Sequence, residues 1–218
     1  MRVGTGHEGP RASEATMAWA IWITGLPGSG KTTVAQGAAA LAAAAGRRVR
    51  TLELDAIRRL VTPDPTYSEE ERGILYRALA VMAALLVEGG TNVLVDATAN
   101  RRAYRDLARR MIPQFAEVYL RCPLEVCRAR ERQRFGGYAP GRIYEDAERT
   151  GAPVPGLGVP YEAPEAPELI IDSAVVDPGE AAGQVWALVD RLEDPGLWRA
   201  AILWRAGSAA PGRETNGG

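Results

Sequence analysis

Short apolar runs alternate with longer amphipathic stretches along the middle of the chain. The short runs predict five β-strands, at residues 18–24, 49–54, 92–96, 116–121 and 169–171. The longer stretches predict five helices, at residues 31–45, 68–88, 101–111, 124–134 and 178–192. Strands that alternate with helices in this way are typical of a parallel sheet covered by helices. We therefore predict a three-layer α/β fold with a five-stranded parallel sheet.

The segment from about 135 to 167 interrupts this alternation. Gly and Pro recur there too often for a long helix or strand. A structureless segment of this length inside a compact domain is usually a functional lid or binding loop. We expect this segment to act as a lid that closes over substrates.

The two ends of the chain differ from the middle. Residues 1–16 are rich in Gly and polar groups and show no periodicity, which predicts a disordered arm that also contains the one histidine, His7. Residues 194–218 carry apolar side chains at helix-like spacing before a Gly- and Pro-rich tail. They are interpreted as a partly disordered appendage, with a docked helix as the alternative. We predict that residues 17–193 form one domain, which is within the usual size range.

Composition restricts the classes of partner. The formal net charge is -1, from 26 basic and 27 acidic residues, so we expect neither a nucleic acid nor an anionic membrane as partner. Cys122 and Cys127 are too few for a disulfide framework and are interpreted as reduced thiols. No apolar stretch reaches the roughly 18 residues of a membrane span, and we expect a cytoplasmic protein that acts on a small molecule.

The most specific motif is Gly-Leu-Pro-Gly-Ser-Gly-Lys-Thr at residues 25–32. It follows a predicted strand and precedes a predicted helix, which is the setting of a phosphate-binding P-loop. Lys31 is expected to reach the β- and γ-phosphates of ATP, and the Thr32 hydroxyl is expected to ligate Mg²⁺. The predicted nucleotide contacts are Gly25, Pro27, Gly28, Ser29, Gly30, Lys31, Thr32 and Thr33.

Two aspartates follow strands at the edge where α/β sheets bind ligands. Asp55 follows the second predicted strand and Asp96 ends the third. Either one could hold Mg²⁺ together with Thr32, or accept the proton of an attacking hydroxyl. The alternative for both is a helix N-cap. The sequence Asp96-Ala97-Thr98 and the lack of an Asn-Lys-x-Asp motif argue against a GTPase.

Arginines are concentrated in two clusters, at residues 101–105 and 128–134. Guanidinium groups suit transferring phosphates and anionic substrates. Alternating positions of a helix cannot all face one site. We therefore expect one arginine from each cluster to contribute.

From about Trp19 to Asp172 the chain resembles the adenylylsulfate kinases. The similar segments are the lid sequence at 156–169, the arginine-containing sequence at 105–109, Glu117-Val118-Tyr119 and Pro123-Leu124-Glu125-Val126-Cys127. The resemblance implies transfer of phosphate from ATP to the 3′-hydroxyl of adenosine 5′-phosphosulfate, in sulfate assimilation. It also leaves a homodimer open.

The resemblance also assigns roles to individual residues. Asp55 becomes the catalytic acidic residue, acting with Lys31, and Arg130 faces ATP. The predicted substrate contacts are Arg58, Arg102 and Tyr161.

Several positions depart from the family pattern on the acceptor side. Polar residues of the family are replaced by Ala56, Ala99-Asn100, Ile74, Tyr76 and Glu145. A site that loses such hydrogen-bonding groups can select a different substrate. The sequence therefore leaves two alternatives, a related kinase for another small hydroxyl compound and a non-catalytic ATP-binding regulator.

Overall fold

The computed structural model describes residues 17–134, 136, 138 and 141–194. Within these residues the strands, in chain order, are β1 Ala20–Thr24, β2 Val49–Glu53, β3 Asn92–Asp96, β4 Phe115–Arg121, β5 Val154–Pro155, β6 Gly158–Val159 and β7 Leu169–Asp172. Five of them form a parallel sheet in the order β2-β3-β1-β4-β7, and β5 pairs with β6. The predicted fold class is thus confirmed.

The helices of the same residues are α1 Lys31–Ala44, α2 Leu54–Val61, α3 Glu69–Glu88, α4 Arg102–Met111, α5 Leu124–Arg132, α6 Ile143–Thr150 and α7 Pro178–Glu193. Ser68 caps α3 by accepting a hydrogen bond from the Glu71 amide at 3.2 Å. Gly46 follows α1 with φ of 71°, which is the left-handed conformation that often ends a helix.

The sequence did not predict helices α2 and α6. The sequence predicts Leu54 as the end of a strand, but it starts α2, and Asp55 lies in the first turn of that helix. Helix α6 lies inside the segment 135–167, which was predicted to be structureless. Its glycine stands only after the last turn, at Gly151, and its buried face carries Tyr144 and Ala147. Eight residues free of Gly and Pro are enough for two helical turns.

Helices cover both faces of the sheet. On one face, Ile21 and Ile23 pack with residues of α1 and α7. On the other face, Ala20 and Trp22 pack with residues of α3 and α4. Strand β1 is therefore buried on both sides, and this explains its continuous apolar sequence.

The central position of β1 determines where the chemistry can occur. Ile23 of β1 lies in register with Asp96 of β3. Because the strands are parallel, the segment after β1 and the end of β3 reach the same edge of the sheet. The P-loop sequence and Asp96 are thereby brought together.

The predicted arm at 1–16 lies outside the described residues, as do residues 195–218 of the predicted appendage. The segmentation into these regions stays a prediction. Among the helices that the structure describes, none combines the length and the apolar composition of a membrane span.

The packing of α1 against α7 yields a stability prediction. A Cβ atom on Gly37 of α1 would lie 2.7 Å from the Cβ of Ala182 on α7. We expect Gly37→Ala to lower the free energy of unfolding by about 1–3 kcal/mol, the usual cost of overpacking. Urea unfolding followed by circular dichroism measures this change.

Gly183 on α7 provides the matched control. A Cβ atom there would have no neighbour within 4 Å, so Gly183→Ala should raise the free energy of unfolding by about 0.5–1 kcal/mol through helix propensity. If both variants changed stability in the same direction, close approach of the two helices would not explain the glycine at 37.

Candidate active site

The phosphate loop, residues 25–30, connects β1 to α1. Gly28 and Gly30 have φ angles of 81° and 94°, in the left-handed region that favours glycine. A Cβ atom on Gly28 would also lie 2.5 Å from the carbonyl oxygen of Cys127 on α5. The loop ends at the N-terminus of α1, where amide groups and the helix dipole favour a phosphate.

Lys31, Thr32 and Asp96 lie together at this edge of the sheet. The Lys31 Nζ donates to the carbonyl oxygens of Gly25 and Leu26, at 3.1 and 3.0 Å. The Thr32 hydroxyl lies near enough to the Asp96 carboxylate to act on its pKa. The structure thus brings the P-loop lysine, the P-loop threonine and one predicted acidic residue into one cluster.

Burial acts on the two charged groups of this cluster in opposite directions. It lowers the pKa of Lys31, while the charges of Asp96 and Asp55 oppose that shift. It raises the pKa of Asp96, while the charge of Lys31 and the Thr32 hydroxyl oppose that shift. Each charge therefore offsets part of the desolvation of the other.

A cavity of about 610 Å³ opens beside this cluster. The phosphate loop forms one wall, and residues of α2 and α3 form another. Asp55 lies in this wall, and its charge acts on both Lys31 and Asp96. Asp55 lies in the first turn of α2 and not directly after a strand.

Two buried arginines line the cavity on the side of α2 and α3. Arg58 is 7% exposed, and its Nη1 donates to Glu71 Oε1 at 2.6 Å. Its guanidinium carbon lies 5.0 Å from the ring centre of Tyr67. The buried Nε of Arg58 has no hydrogen-bond partner among the described residues.

Arg72 is the second buried arginine, with 5% exposure. It donates from Nε to the Tyr67 carbonyl oxygen at 3.0 Å and from Nη2 to the Pro153 carbonyl oxygen at 2.5 Å. Carbonyl oxygens satisfy these donors without neutralising the positive charge. An anion placed between Arg58 and Arg72 would therefore be stabilised.

Arg130 lines the cavity near the phosphate loop. Its Nη2 donates to the Ser173 carbonyl oxygen at 2.7 Å, so the guanidinium is held between α5 and the residue after β7. Glu131 and Arg134 of the same region also line the cavity and form an ion pair at 3.2 Å. Of the cluster 128–134, the described structure thus places two arginines at the cavity, Arg130 and Arg134.

Arg102 and Tyr161, two of the predicted substrate contacts, do not line the cavity. The Arg102 guanidinium forms ion pairs with Glu162 and Glu165 near the protein surface. The Tyr161 hydroxyl lies 3.0 Å from the Thr24 hydroxyl, and the Tyr161 ring stacks on Tyr119. Both residues therefore serve contacts within the protein in this conformation.

Tyr67, Arg72 and Glu131 are among the cavity residues that the sequence does not identify. Arg72 lies four residues after Ser68, the N-cap of α3, and directly follows three glutamates. Such a run of charged residues is typical of a solvent-exposed helix surface. Its signal was weak because burial depends on Pro153, 81 residues away. Tyr76 also lines the cavity, although the sequence marked it only as a departure from a family pattern.

Two related sequences align with most of this chain. A chain from Archaeoglobus fulgidus described as a probable adenylyl-sulfate kinase is 39% identical over 158 residues, which is 72% of this chain and 97% of the relative. An adenylyl-sulfate kinase of Bacillus velezensis is 33% identical over 168 residues, which is 76% of this chain and 81% of the relative.

Solved structures share the fold. The Mycobacterium tuberculosis APS kinase CysC, solved in complex with AMPPNP and APS, superposes with a TM-score of 0.69 at 28% identity, covering 80% of this chain and 98% of that one. The sequence model described as adenylylsulphate kinase matches residues 17–172, a range that contains the phosphate loop, Asp55, Asp96 and both buried arginines. The chain belongs to the adenylylsulphate kinase family.

Proposed function

We propose that this chain transfers the γ-phosphate of ATP to the 3′-hydroxyl of adenosine 5′-phosphosulfate. The observation that carries the proposal is the arrangement of one cavity. A phosphate loop with Lys31 and Thr32 forms one wall, and Asp55 with two buried arginines forms the facing part. Family membership and a relative solved with both AMPPNP and APS support the same substrates.

The nucleotide half of the site provides positive charge where the phosphoryl group moves. Lys31 is directed at the phosphate loop, and Arg130 lies beside it in the cavity wall. Both cations would stabilise the charge on the transferring group and its oxygens. The N-terminus of α1 adds amide donors, so the nucleotide phosphates would be fixed before the acceptor reacts.

A magnesium ion fits the residues of this half. The Thr32 hydroxyl and the Asp96 carboxylate adjoin each other, and both are the hard oxygen ligands that Mg²⁺ prefers. No cluster of three His, Cys, Asp or Glu residues that could hold a metal occurs in the described part of the chain. This agrees with an ion held by few protein groups and by nucleotide phosphates. When bound, Mg²⁺ neutralises charge on the β- and γ-phosphates.

Asp55 would act on the acceptor hydroxyl. It lies in the cavity wall with Lys31 and Asp96 within electrostatic reach. A carboxylate at this point can orient the hydroxyl and accept its proton as the oxygen attacks phosphorus. The proton leaves the 3′-oxygen as the new phosphorus–oxygen bond forms and the bond to ADP breaks.

The acceptor carries a phosphosulfate group, and Arg58 and Arg72 provide the charge to bind it. Their buried positions explain how the chain could keep acceptor affinity although several polar residues of the family are replaced. Both residues line the cavity, and charge-assisted hydrogen bonds are roughly twice as strong as neutral ones.

An acceptor-dependent assay tests the proposal. The purified protein is given ATP, Mg²⁺ and adenosine 5′-phosphosulfate, and ADP release is compared with that in the presence of adenosine 5′-monophosphate. Release that depends on the phosphosulfate compound is expected. Turnover with another small hydroxyl compound alone would identify a different acceptor, and ATP binding without any acceptor-dependent release would indicate a regulator.

Asp55→Asn should lower kcat by about 10²- to 10⁴-fold, the usual contribution of a general base. The affinity for ATP, measured by isothermal titration, should change little because the phosphate loop is intact. Asp64→Asn, which removes a carboxylate from an exposed position after α2, serves as the control. Equal activities of the two variants would remove Asp55 from the chemistry.

Arg72→Ala should raise the KM for the acceptor about tenfold or more, because one charge-assisted hydrogen bond contributes about 1.5–3 kcal/mol. The KM for ATP should stay near that of the parent protein. Arg77→Ala removes the same charge from an exposed position of α3 and should leave both constants unchanged. A rise in the KM for ATP alone would assign Arg72 to the nucleotide half.

A further inference from the structure

The segment 160–168, which joins β6 to β7, contacts α4 through Arg102, Arg105 and Arg109. It carries the sequence that the family resemblance assigns to a substrate lid. Hydrogen bonds and an ion pair attach this segment to other parts of the protein. The Glu162 amide donates to the Asn100 carbonyl oxygen at 2.8 Å, and Asn100 Nδ2 donates to the Pro160 carbonyl oxygen at 3.3 Å. At the other end, Glu168 pairs with Arg109 at 2.8 Å. The segment is therefore attached to the fold on both sides of Tyr161.

Arg105 connects this segment to the sheet. It is 1% exposed, and its Nε donates to Glu117 Oε1 at 2.5 Å. Its Nη2 donates to the Glu162 carbonyl oxygen at 2.6 Å, and its Nη1 donates to the Ala99 carbonyl oxygen. One buried guanidinium thus holds three pieces of chain around the Tyr161 ring, whose centre lies 5.8 Å from it.

The Tyr161 hydroxyl reaches the end of β1. The Thr24 hydroxyl donates its one proton to the Thr98 carbonyl oxygen at 2.6 Å. It therefore has to accept in its second contact, at 3.0 Å, and Tyr161 is the donor there. The result is a directed relay from Tyr161 through Thr24 to Thr98, and Thr24 is fully buried.

This relay lies where the backbone contacts between β1 and β3 end. The last of them is the bond from the Ala97 amide to the Ile23 carbonyl oxygen, at 3.3 Å. Beyond it, β1 continues into Gly25, whose carbonyl oxygen accepts from Lys31, and β3 continues from Asp96 to Thr98. The Thr24 hydroxyl therefore connects the backbone that carries Lys31 to the backbone that carries Asp96.

We propose that Tyr161 is a positioning residue that acts through Thr24 to fix the distance between the phosphate loop and Asp96. It holds the lysine and the carboxylate in the arrangement in which Mg²⁺ and the nucleotide phosphates bind together. The proposal rests on the phosphoryl transfer proposed above, and it assigns to Tyr161 a role at the nucleotide half in place of acceptor contact.

The test uses binding of Mg²⁺ with ADP, which needs no acceptor. Tyr161→Phe keeps the stacked ring and removes the donor, and it should raise the dissociation constant for Mg·ADP about threefold to tenfold, as for loss of one neutral hydrogen bond. The Mg²⁺ concentration for half-maximal turnover should rise by a similar factor. Thr24→Val should have at least this effect, and Thr24→Ser should restore values near those of the parent protein.

The double variant separates a relay from two independent contacts. If Tyr161 acts through Thr24, adding Tyr161→Phe to Thr24→Val should change the dissociation constant by less than twofold. Tyr119→Phe is the matched control, because it removes a hydroxyl from the ring that stacks on Tyr161 and should leave Mg·ADP binding unchanged. Multiplicative effects of the two substitutions would overturn the relay.

A purely structural role gives a different result. In that case Tyr161→Phe would lower the urea midpoint while the folded protein kept the dissociation constant for Mg·ADP and the Mg²⁺ dependence of the parent, and the proposal would be wrong. Failure of the acceptor assignment is seen separately, as absence of turnover with adenosine 5′-phosphosulfate in the unsubstituted protein. Mg·ADP binding still tests the relay in that event.

Discussion

The close contact between the phosphate loop and helix α5 is the constraint on which the site depends. Gly28 approaches the Cys127 carbonyl so closely that even a methyl group would not fit. This approach sets the position of α5, and α5 carries Arg130 and Glu131 to the same cavity. Cys127 is fully buried there, and burial raises the pKa of its thiol to about 12. The thiol thus stays protonated at neutral pH and packs beside the loop as a small uncharged group.

The phosphate loop and the fold class could be predicted from the sequence because their signals are local. Strand β1 is almost entirely apolar. Two of the glycines that follow it, Gly28 and Gly30, have the positive φ angles that glycine adopts most easily. Family membership was also predicted correctly, since its motifs recur in order along the chain. Asp96 was correctly placed at the end of a buried strand, where the parallel sheet determines which side chains meet.

Other parts of the site depend on contacts between distant residues. Whether Arg72 is buried is decided by Pro153, and whether Arg102 reaches the cavity is decided by Glu162 and Glu165. A pattern of charges on a helix cannot distinguish these outcomes, because both arginines occupy the N-terminal part of a helix. Helix α2 was missed for a related reason, since Leu54 fits the end of a strand as well as the start of a helix.

Tyr144 of α6 has a consequence for how ligands enter and leave. Its hydroxyl donates to the Pro27 carbonyl oxygen of the phosphate loop at 2.9 Å, and its ring is buried with Cys127 and Val154. Any movement of α6 away from the cavity must break that bond. A ligand whose entry required α6 to move would therefore also change the contacts of the phosphate loop, through a hydrogen bond that takes no part in the chemistry.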